Sequence, residues 1–545
     1  MREIDRLTTE RHGIPSLVLM ENAAAATARV IAAAFANDIA NRAVLVLCGR
    51  GNNGGDGAAT ARLLAHAGAN VRAILFGKVS DTNGDARTNF EALMALGEGG
   101  SESVKGTARL IQCQSDDDCG KAFEDGLSDS PEVIIDALFG TGLTRALQGI
   151  HEQVTKKVNA LRHSPADSPL IVSIDIPSGL NSDSANLIGA AIQADITVTM
   201  TAPKMANVLP PASHYNGRLI VADIGSPADL IAEAKAELLL TEEADARRWL
   251  RETRYTPDSY KNTHGHALIV AGSRGFTGAA ALCANAAMRA GAGLVTVATP
   301  ASAQPIVAAQ VMPEVMTTAL AETDRGVVSD EAFGYFGKFS ERADVVAIGP
   351  GLSSEDERTR AFVRRVVENR RVPMVIDADG LNCLSPWPAE LRGADDLPIV
   401  LTPHPGEMLR LIGTDDKSAL DERVTAAREF ATQRRVILLL KGGRSMIAAP
   451  DGRVFINSTG NAGLGTAGAG DTLTGVIAGF LAQACAYKTG ERVSVLDTII
   501  AALYVSGLAG DLAAREIGMR CMVASDVREH LSAAIQSLDP RGEQP

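Results

Sequence analysis

The sequence predicts an α/β protein of two domains, and three observations carry that expectation. Short apolar runs alternate with alanine-rich, helix-like stretches in two separate series, as strands and crossover helices do in α/β folds. Between the series, from about Ser226 to Lys261, the composition becomes charge-dense and irregular. Two glycine-rich segments that each carry an aspartate lie about 400 residues apart, one in each series. A chain of 545 residues is long enough for two or three domains, each burying its own core.

In the first series the strand candidates are Ala43–Cys48, Val71–Phe76, Val133–Leu138, Leu170–Ile176, Ile196–Met200 and Arg218–Asp223. They are continuously apolar rather than alternating, as expected for parallel strands covered on both faces. Helix-like stretches such as Ala58–Ala67 separate them. Ala228–Leu239 reads as helical, Thr241–Arg254 is rich in charge, and Tyr255–Ser259 reads as a connector. The boundary is therefore expected near residues 230–240. The second series runs through His266–Ala271, Leu294–Ala298, Val345–Ile348, Met374–Ile376, Ile399–Leu401 and Ile437–Leu440, with a short strand at Arg453–Asn457. The halves show no repeat of one another, so duplication is not supported.

Apolar residues at 46% and charged residues at 21% describe an ordinary soluble protein. Aromatics at 4% argue against base-stacking platforms, and a net charge of −13 argues against a general nucleic-acid binder. Cys48, Cys113, Cys119, Cys283, Cys383, Cys485 and Cys521 are scattered and odd in number, without a C-x-x-C pair. A disulfide framework or zinc site is not expected, and a reducing cytoplasm fits. The N-terminus has early acids and no apolar signal core, and no run reaches the roughly 18 apolar residues of a membrane span. A cytoplasmic homo-oligomer without membrane attachment is expected.

The first glycine segment, Gly51-Asn52-Asn53-Gly54-Gly55-Asp56-Gly57, directly follows the strand-like run Ala43–Cys48. Strand, glycine turn and helix form a Rossmann-like placement, although the spacing is not G-x-G-x-x-G. Glycines let the backbone approach a phosphate with its N–H groups. A carboxylate beside a phosphate is repulsive, so Asp56 calls for a cation or a catalytic role. Asp136 and Asp175 stand at two further strand ends, each followed by a glycine-bearing turn. Ligands of open α/β sheets bind beyond the carboxyl ends of strands, so the three acids are candidates for one site. The alternative is that each only caps a following turn.

Met1–Ala24 (with Gly13-Ile14-Pro15 and Leu19-Met20-Glu21-Asn22), the Gly51–Gly57 segment, Asp136–Gly142 and Asp175–Gly179 together resemble the YjeF N-terminal domain, over most of residues 1–225. Members of that family are NAD(P)H-hydrate epimerases. The resemblance implies that Asn52, Asn53, Gly54, Gly55 and Asp56 contact the hydrated dinucleotide (NADHX or NADPHX). Gly140, Thr141, Gly142, Leu143, Thr144, Arg145 and Ala146 join them, with Asp175 facing the nicotinamide as acid/base. It also implies a K+ ion on Asn53, Asp136 and Ser178. Arg50 stands where the family usually has proline, which implies altered rigidity of the segment rather than lost function.

The second glycine segment is Gly465–Gly475, in which Asp471 follows Gly468-Ala469-Gly470 at the apparent start of a helix. Free N–H groups there suit an oxyanion or a transferring phosphate, while Asp471 takes a proton from a hydroxyl. The plain alternative is an N-cap. His404 lies between Pro403 and Pro405, either as a ligand contact or as a hydrogen-bonded loop histidine. Lys441, before Gly442-Gly443, reads either as a phosphate contact or as a solvated lysine.

The Gly-Ala-Gly-Asp stretch resembles the signature of ribokinase-like kinases. Gly265–Ser273, Phe276–Ala280, Arg289–Val295, Gly349–Leu352, Asp377–Asn382 and Thr402–Glu407 narrow the resemblance to ADP-dependent NAD(P)H-hydrate dehydratases, over about residues 240–535. It implies that Ala279, Gly351 and His404 bind the hydrate and that Asp471 contacts the substrate hydroxyl as base. It implies that Lys441, Gly442, Gly443, Arg444, Ser445 and Gly470 bind ADP, used with Mg2+. Asp377 and Asp379 are candidates for the phosphate or magnesium side, without an assigned role. The fold implied is a Rossmann-like three-layer domain over residues 1–235 and a ribokinase-like α/β domain over 236–545. The activity implied is repair of hydrated NADH and NADPH: epimerisation at C6, then ADP-dependent dehydration. The rival reading is a kinase for a small vitamin precursor or sugar fused to a nucleotide-binding regulatory domain. A non-enzymatic RNA-decay scaffold, known in the epimerase superfamily, is disfavoured by the three acids and the acidic charge.

Overall fold

Seven strands of the first half pair side by side, all parallel, in the computed structural model of the chain, which describes residues 1–98, 105–162, 168–486 and 493–539. They are β1 (Ala43–Cys48), β2 (Asn70–Leu75), β3 (Thr107–Gln112), β4 (Val133–Ala137), β5 (Leu170–Ile174), β6 (Ile196–Met200) and β7 (Arg218–Ala222), in the order β3-β2-β1-β4-β5-β6-β7. The strand order reverses at β1, so the crevice beyond the carboxyl ends of β1 and β4 is where such a sheet binds ligands.

The continuous apolar strands find cover on both faces. Val44, Val46 and Cys48 of β1 pack with Ala58, Leu64 and Phe90, whereas Leu45 and Leu47 pack with Phe123, Ile150 and Val154. This is a three-layer arrangement, with helices Ser16–Ala34, Asn52–His66 and Gly84–Glu98 on one side and Asp116–Ser128 and Gly149–Leu161 on the other.

The second half builds a ten-stranded sheet. Its strands are β8 (Leu238–Leu240), β9 (His266–Val270), β10 (Leu294–Pro300), β11 (Met316–Leu320), β12 (Val345–Ile348), β13 (Met374–Ile376), β14 (Ile399–Leu401), β15 (Ile437–Leu440), β16 (Met446–Ala448) and β17 (Val454–Ile456). The order is β11-β10-β9-β12-β13-β14-β15-β16-β17-β8; β16 is antiparallel to both its neighbours and the other pairs are parallel. Here the reversal falls at β9 and β12; Ala279 lies at the start of helix Thr277–Arg289 after β9, and Gly351 in the turn after β12.

The chain divides into two compact units, Met1–Lys235 and Ala236–Pro545. The stretch Ala228–Leu239, read from sequence as one helix, splits: Ala228–Glu233 is helical and Leu238–Leu240 is the edge strand β8, held by main-chain pairing to β17. The charge-dense segment before the connector is helix Glu243–Glu252, held to the second unit by its one aromatic. Trp249 stacks on Phe480 with ring centroids 4.1 Å apart and donates from Nε1 to Thr498 Oγ1 at 2.9 Å.

Two helices, Ser16–Ala34 and Val495–Ile517, are long and apolar enough by length and composition to cross a membrane, contrary to the sequence reading. Both pack into the cores, with Leu19, Ala23 and Ile31 of the first, and Ile499, Ala501 and Val505 of the second, buried among sheet and helix side chains.

Helix Thr277–Arg289 packs closely on helix Ala469–Ala486 through small residues. A Cβ added at Gly475 would sit 2.0 Å from the carbonyl oxygen of Cys283, so the two backbones meet there. Gly475→Ala is expected to destabilise the second unit by about 1–3 kcal/mol through overpacking. Gly278→Ala, with nothing within 4 Å of the added carbon, serves as the control in urea unfolding. Equal midpoints for the two variants would contradict the close-packing account.

Candidate active sites

In the first unit, helix Asn52–His66 begins within four residues of the end of β1. The segment expected as a glycine loop is therefore the helix's first turns, with Gly51 extended at the N-cap. Gly54 makes this junction possible: a Cβ there would lie 1.8 Å from the carbonyl oxygen of Gly49. The helix N-terminus is thus drawn against the strand end, where its dipole favours anions.

The three acids divide between two neighbourhoods. Asp136, at the end of β4, is buried and fully hydrogen-bonded. Its Oδ2 accepts from Ser173 Oγ and Ser178 N, both at 2.8 Å, and its Oδ1 accepts from Ser178 Oγ at 2.5 Å. Burial raises its pKa, and these bonds hold the rise in check. Ser178 Oγ also accepts from Phe139 N at 2.9 Å, and a Cβ at the adjoining Gly140 would lie 3.3 Å from Asn53 Oδ1. Asn53 is buried, and its Nδ2 has no hydrogen-bond partner. Asn53, Gly140, Ser178 and Asp136 are thus linked contact by contact. Of the remaining expected residues, Thr141 and Leu143 are half-buried, whereas Gly142, Thr144, Arg145 and Ala146 are exposed. Arg50 lies along Gly77, whose added Cβ would meet Arg50 Cδ at 2.6 Å.

Asp175 forms the second neighbourhood with Asp56. It leaves β5 in a left-handed conformation (φ +68°), so the chain turns there and the carboxylate is redirected. Its Oδ1 pairs with the ammonium of Lys204 and accepts from Thr199 Oγ1 at 3.3 Å. Burial pushes the Asp56 carboxyl well above the ordinary carboxylate range; the charges of Asp175 and Asp5 raise it further, and Lys204 opposes them. Lys204 and Asp5 were not legible in the sequence. Lys204 follows the end of β6 and had strand-end position as its only signal, while Asp5 sits in the N-terminal helix Arg2–His12 with no signal at all.

In the second unit, the carboxyl ends of β13, β14 and β15 deliver Asp377, His404 and Lys441. Asp377, 1% exposed, accepts from Lys441 Nζ at 2.8 Å and from Thr474 Oγ1 at 2.7 Å. Lys441 Nζ is also 3.9 Å from Glu407 Oε2. A Cβ at Gly470 would lie 3.3 Å from Lys441 Nζ, which brings the second glycine segment onto this network. Helix Ala469–Ala486 starts there, so Gly470 and Asp471 occupy its first turn. Burial, and then the charge of Asp377, raise the pKa of Asp471 to about 6, with Lys441 opposing.

Asp379, by contrast, ties loops together: its Oδ2 accepts from Ser353 N at 2.9 Å and its Oδ1 from Asn382 Nδ2 at 3.2 Å. Gly351 (φ +65°) approaches Ala279, with 3.0 Å between its added Cβ and the Ala279 Cβ. Beside Gly442 and Gly443 lies Arg423, a residue the sequence reading missed; its Nη1 donates to Gly443 O at 3.4 Å, and its Nε and Nη2 are buried without partners. Arg444 donates to Ser458 O at 2.7 Å, and Ser445 Oγ bonds back to Gly442.

His404 is both a cap and an exposed donor. It forms a capping box with Glu407: His404 Nδ1 accepts from Gly406 N at 3.0 Å, and Glu407 Oε2 accepts from His404 N at 2.8 Å. An accepting Nδ1 places the neutral ring's proton on Nε2, on a side chain 51% exposed. Among the described residues no three His, Cys, Asp or Glu side chains cluster closely enough to hold a metal ion.

Residues 16–206 match the family model described as YjeF-related protein N-terminus, and residues 267–533 match that described as NAD(P)H-hydrate dehydratase. Two similar curated proteins are both named bifunctional NAD(P)H-hydrate repair enzyme. That of Moorella thermoacetica is 40% identical over 539 residues, covering 99% of this chain and 96% of its own length. That of Thermofilum pendens is 34% identical over 537 residues, covering 98% and 95%. A solved structure of the ADP/ATP-dependent NAD(P)H-hydrate dehydratase of Bacillus subtilis, co-crystallised with ATP and Mg2+, is 29% identical. It covers 55% of this chain and 99% of its own, with a TM-score of 0.47.

His404→Ala is expected to destabilise the second unit by about 1 kcal/mol by removing the cap, and His404→Asn to restore most of that loss. Thermal unfolding of both variants checks it; an Asn variant as unstable as the Ala variant would show that the ring does more than cap.

Proposed function

The chain belongs to the bifunctional NAD(P)H-hydrate repair enzymes, and from that premise we propose that its two sites perform successive steps on one damaged cofactor. The first unit interconverts the R and S hydrates at C6 of the nicotinamide ring. The second dehydrates the S hydrate with ADP, releasing AMP and phosphate and restoring NADH or NADPH. The observation that carries the second step is Asp471, a helix-start carboxyl with a pKa of about 6 beside the Lys441–Asp377–Thr474 network.

Hydroxide is a poor leaving group. Asp471 takes the proton of the C6 hydroxyl as its oxygen attacks the terminal phosphorus of ADP, and AMP departs. The ring-nitrogen lone pair then expels phosphate and re-forms the C5–C6 double bond as C5 loses a proton. Lys441, held by Asp377, and the N–H groups around Gly470 face the phosphoryl oxygens. Gly442, Gly443, Arg444 and Ser445 line the ADP side, and Ala279, Gly351 and His404 the hydrate side. Mg2+ is carried in by the nucleotide phosphates, whose negative charge it offsets.

In the first unit Asn52–Asp56 and Gly140–Ala146 hold the dinucleotide, and Asp175 is the acid/base at C6. Asn53, Asp136 and Ser178 fit K+. They offer oxygen donors only, and the buried Asn53 amide, left without a partner at Nδ2, is an Asn head group whose two ends are interchangeable. A K+ ion held by them would supply positive charge to offset that of the substrate phosphates. We infer a cytoplasmic protein, which the scattered cysteines without a C-x-x-C pair support, and a homo-oligomer.

AMP and phosphate are expected in equal amounts with regained NADH absorbance when ADP and hydrate are supplied; NADH without AMP would sink the phosphoryl route. Asp471→Asn is expected to abolish dehydration and spare epimerisation. Because the base must be ionised, dehydratase kcat/KM is expected to fall as pH drops through about 6, with a flat profile between pH 5 and 7 as the contrary outcome. Replacing K+ by choline is expected to weaken epimerase activity in the wild type but not in Asn53→Ala; indifference of the wild type to K+ would remove the ion from the site.

A further inference from the structure

Lys204 ends the Ala202-Pro203-Lys204 turn after β6 and stands at the N-cap of the short helix Met205–Val208. Its side chain is 7% exposed. An ammonium has three N–H donors and no acceptor. Here all three have oxygens to meet: Asp175 Oδ1, Thr199 Oγ1 at 2.8 Å and the Met200 carbonyl at 3.1 Å. Thr199 Oγ1 in turn donates to Asp175 Oδ1 at 3.3 Å, and Met200 N reaches the same oxygen at 3.4 Å. Among the described residues every hydrogen bond to the Asp175 carboxylate therefore falls on Oδ1. Oδ2 is the oxygen left for a ligand, and with no N–H to spare Lys204 is not itself a donor to substrate.

We propose that Lys204 is a positioning residue for epimerisation: with Thr199 it clamps Oδ1 of Asp175, so that the carboxylate presents Oδ2 to the reacting ring. The inference rests on the reading of Asp175 as the acid/base of the first unit.

The surroundings explain why such a clamp is needed. Asp5 of helix Arg2–His12, Asp56 of helix Asn52–His66 and Asp175 after β5 feel one another's charge, and Lys204 is the lysine that opposes it. Asp5 also feels the chain's N-terminal amino group, and its Oδ1 is buried without a partner. Three carboxyls crowded together would share protons. Lys204 is bonded to Asp175 alone of the three, whereas burial and the other acids push the Asp56 carboxyl upward.

The test uses the full chain and separated R and S hydrates without ADP, so that only epimerisation is read, by chromatography. Lys204→Met is expected to lower epimerase kcat by about 10²-fold or more, with KM within about 3-fold, and to move the acidic limb of the kcat–pH profile up by about one unit or more. Lys204→Arg, which keeps the charge, is expected to leave that limb near its wild-type position. Thr199→Val removes the hydroxyl and keeps the charge, and is expected to lower kcat without moving the limb. ADP-dependent dehydration of the S hydrate by the same preparations reports an intact second unit.

A Lys204→Met enzyme with wild-type kcat and pH profile overturns the inference. So does an Arg variant shifted as far as the Met variant. Where the Met variant fails to fold, the Thr199→Val and Lys204→Arg enzymes decide, and wild-type kcat in Thr199→Val counts against the clamp. A wild-type chain that does not interconvert the hydrates would instead defeat the reading of the first unit.

Discussion

A lysine ammonium bonded to an aspartate beyond the carboxyl ends of the strands organises each site. In the first unit it is Lys204 on Asp175, and in the second Lys441 on Asp377. Each pair joins segments from different crossovers of a parallel sheet and so ties their loops together. Each also stands beside another carboxyl, Asp56 or Asp471, whose pKa is raised first by burial and then by the neighbouring acid, with the lysine opposing. Breaking such a pair by removing one partner typically costs about 3–5 kcal/mol, because the remaining charge stays buried. The pairs are thus at once structural and chemical.

The two units use that arrangement for opposite purposes. In the second, the paired acid Asp377 is buried behind Lys441 and Thr474, and the less ionised Asp471 faces the helix start where phosphate chemistry is proposed. In the first, the paired acid itself is proposed to face the ring. A base for a hydroxyl attacking phosphorus must accept a proton near neutral pH, which a pKa of about 6 suits. An acid/base at a carbon stereocentre must give and take a proton from one fixed position as the hydroxyl leaves and returns, which a clamp on its other oxygen suits.

Much of the fold was legible because buried parallel strands are apolar on both sides: β1, β4, β9 and β12 stand out as apolar runs. β3 (Thr107–Gln112), β11 (Met316–Leu320), β16 (Met446–Ala448) and β8 (Leu238–Leu240) escaped notice. The first two are sheet edges with solvent-facing polar positions, and the others are three residues long; β16 forms hairpins with its neighbours β15 and β17, and β8 depends on main-chain pairing to β17 far along the chain. In the site, acids following recognisable strands could be listed, and Asp377 and Asp379 could be noted though not told apart. What separates them is long-range. Thr474 and Lys441 reach Asp377, whereas Ser353 and Asn382 reach Asp379. Lys204, Asp5 and Arg423 carry no local pattern, and only folding brings them to the acids and glycines they touch.

The glycines that first mark this chain have a second role that sequence alone does not separate from phosphate binding. Gly54 lets a helix start against Gly49, and Gly475 lets helix Ala469–Ala486 lie on the backbone of helix Thr277–Arg289. A phosphate site at a helix N-terminus requires that the helix begin at the sheet's carboxyl edge, close enough for its free N–H groups and for acids from neighbouring strands to reach one ligand. Side chains larger than glycine at these contacts would push the helix away and separate its first turn from Asp136 in one unit and from Asp377 and Lys441 in the other. The glycine-rich pattern is therefore first a condition on how near the backbone can come, and the ability to bind phosphate follows from that nearness.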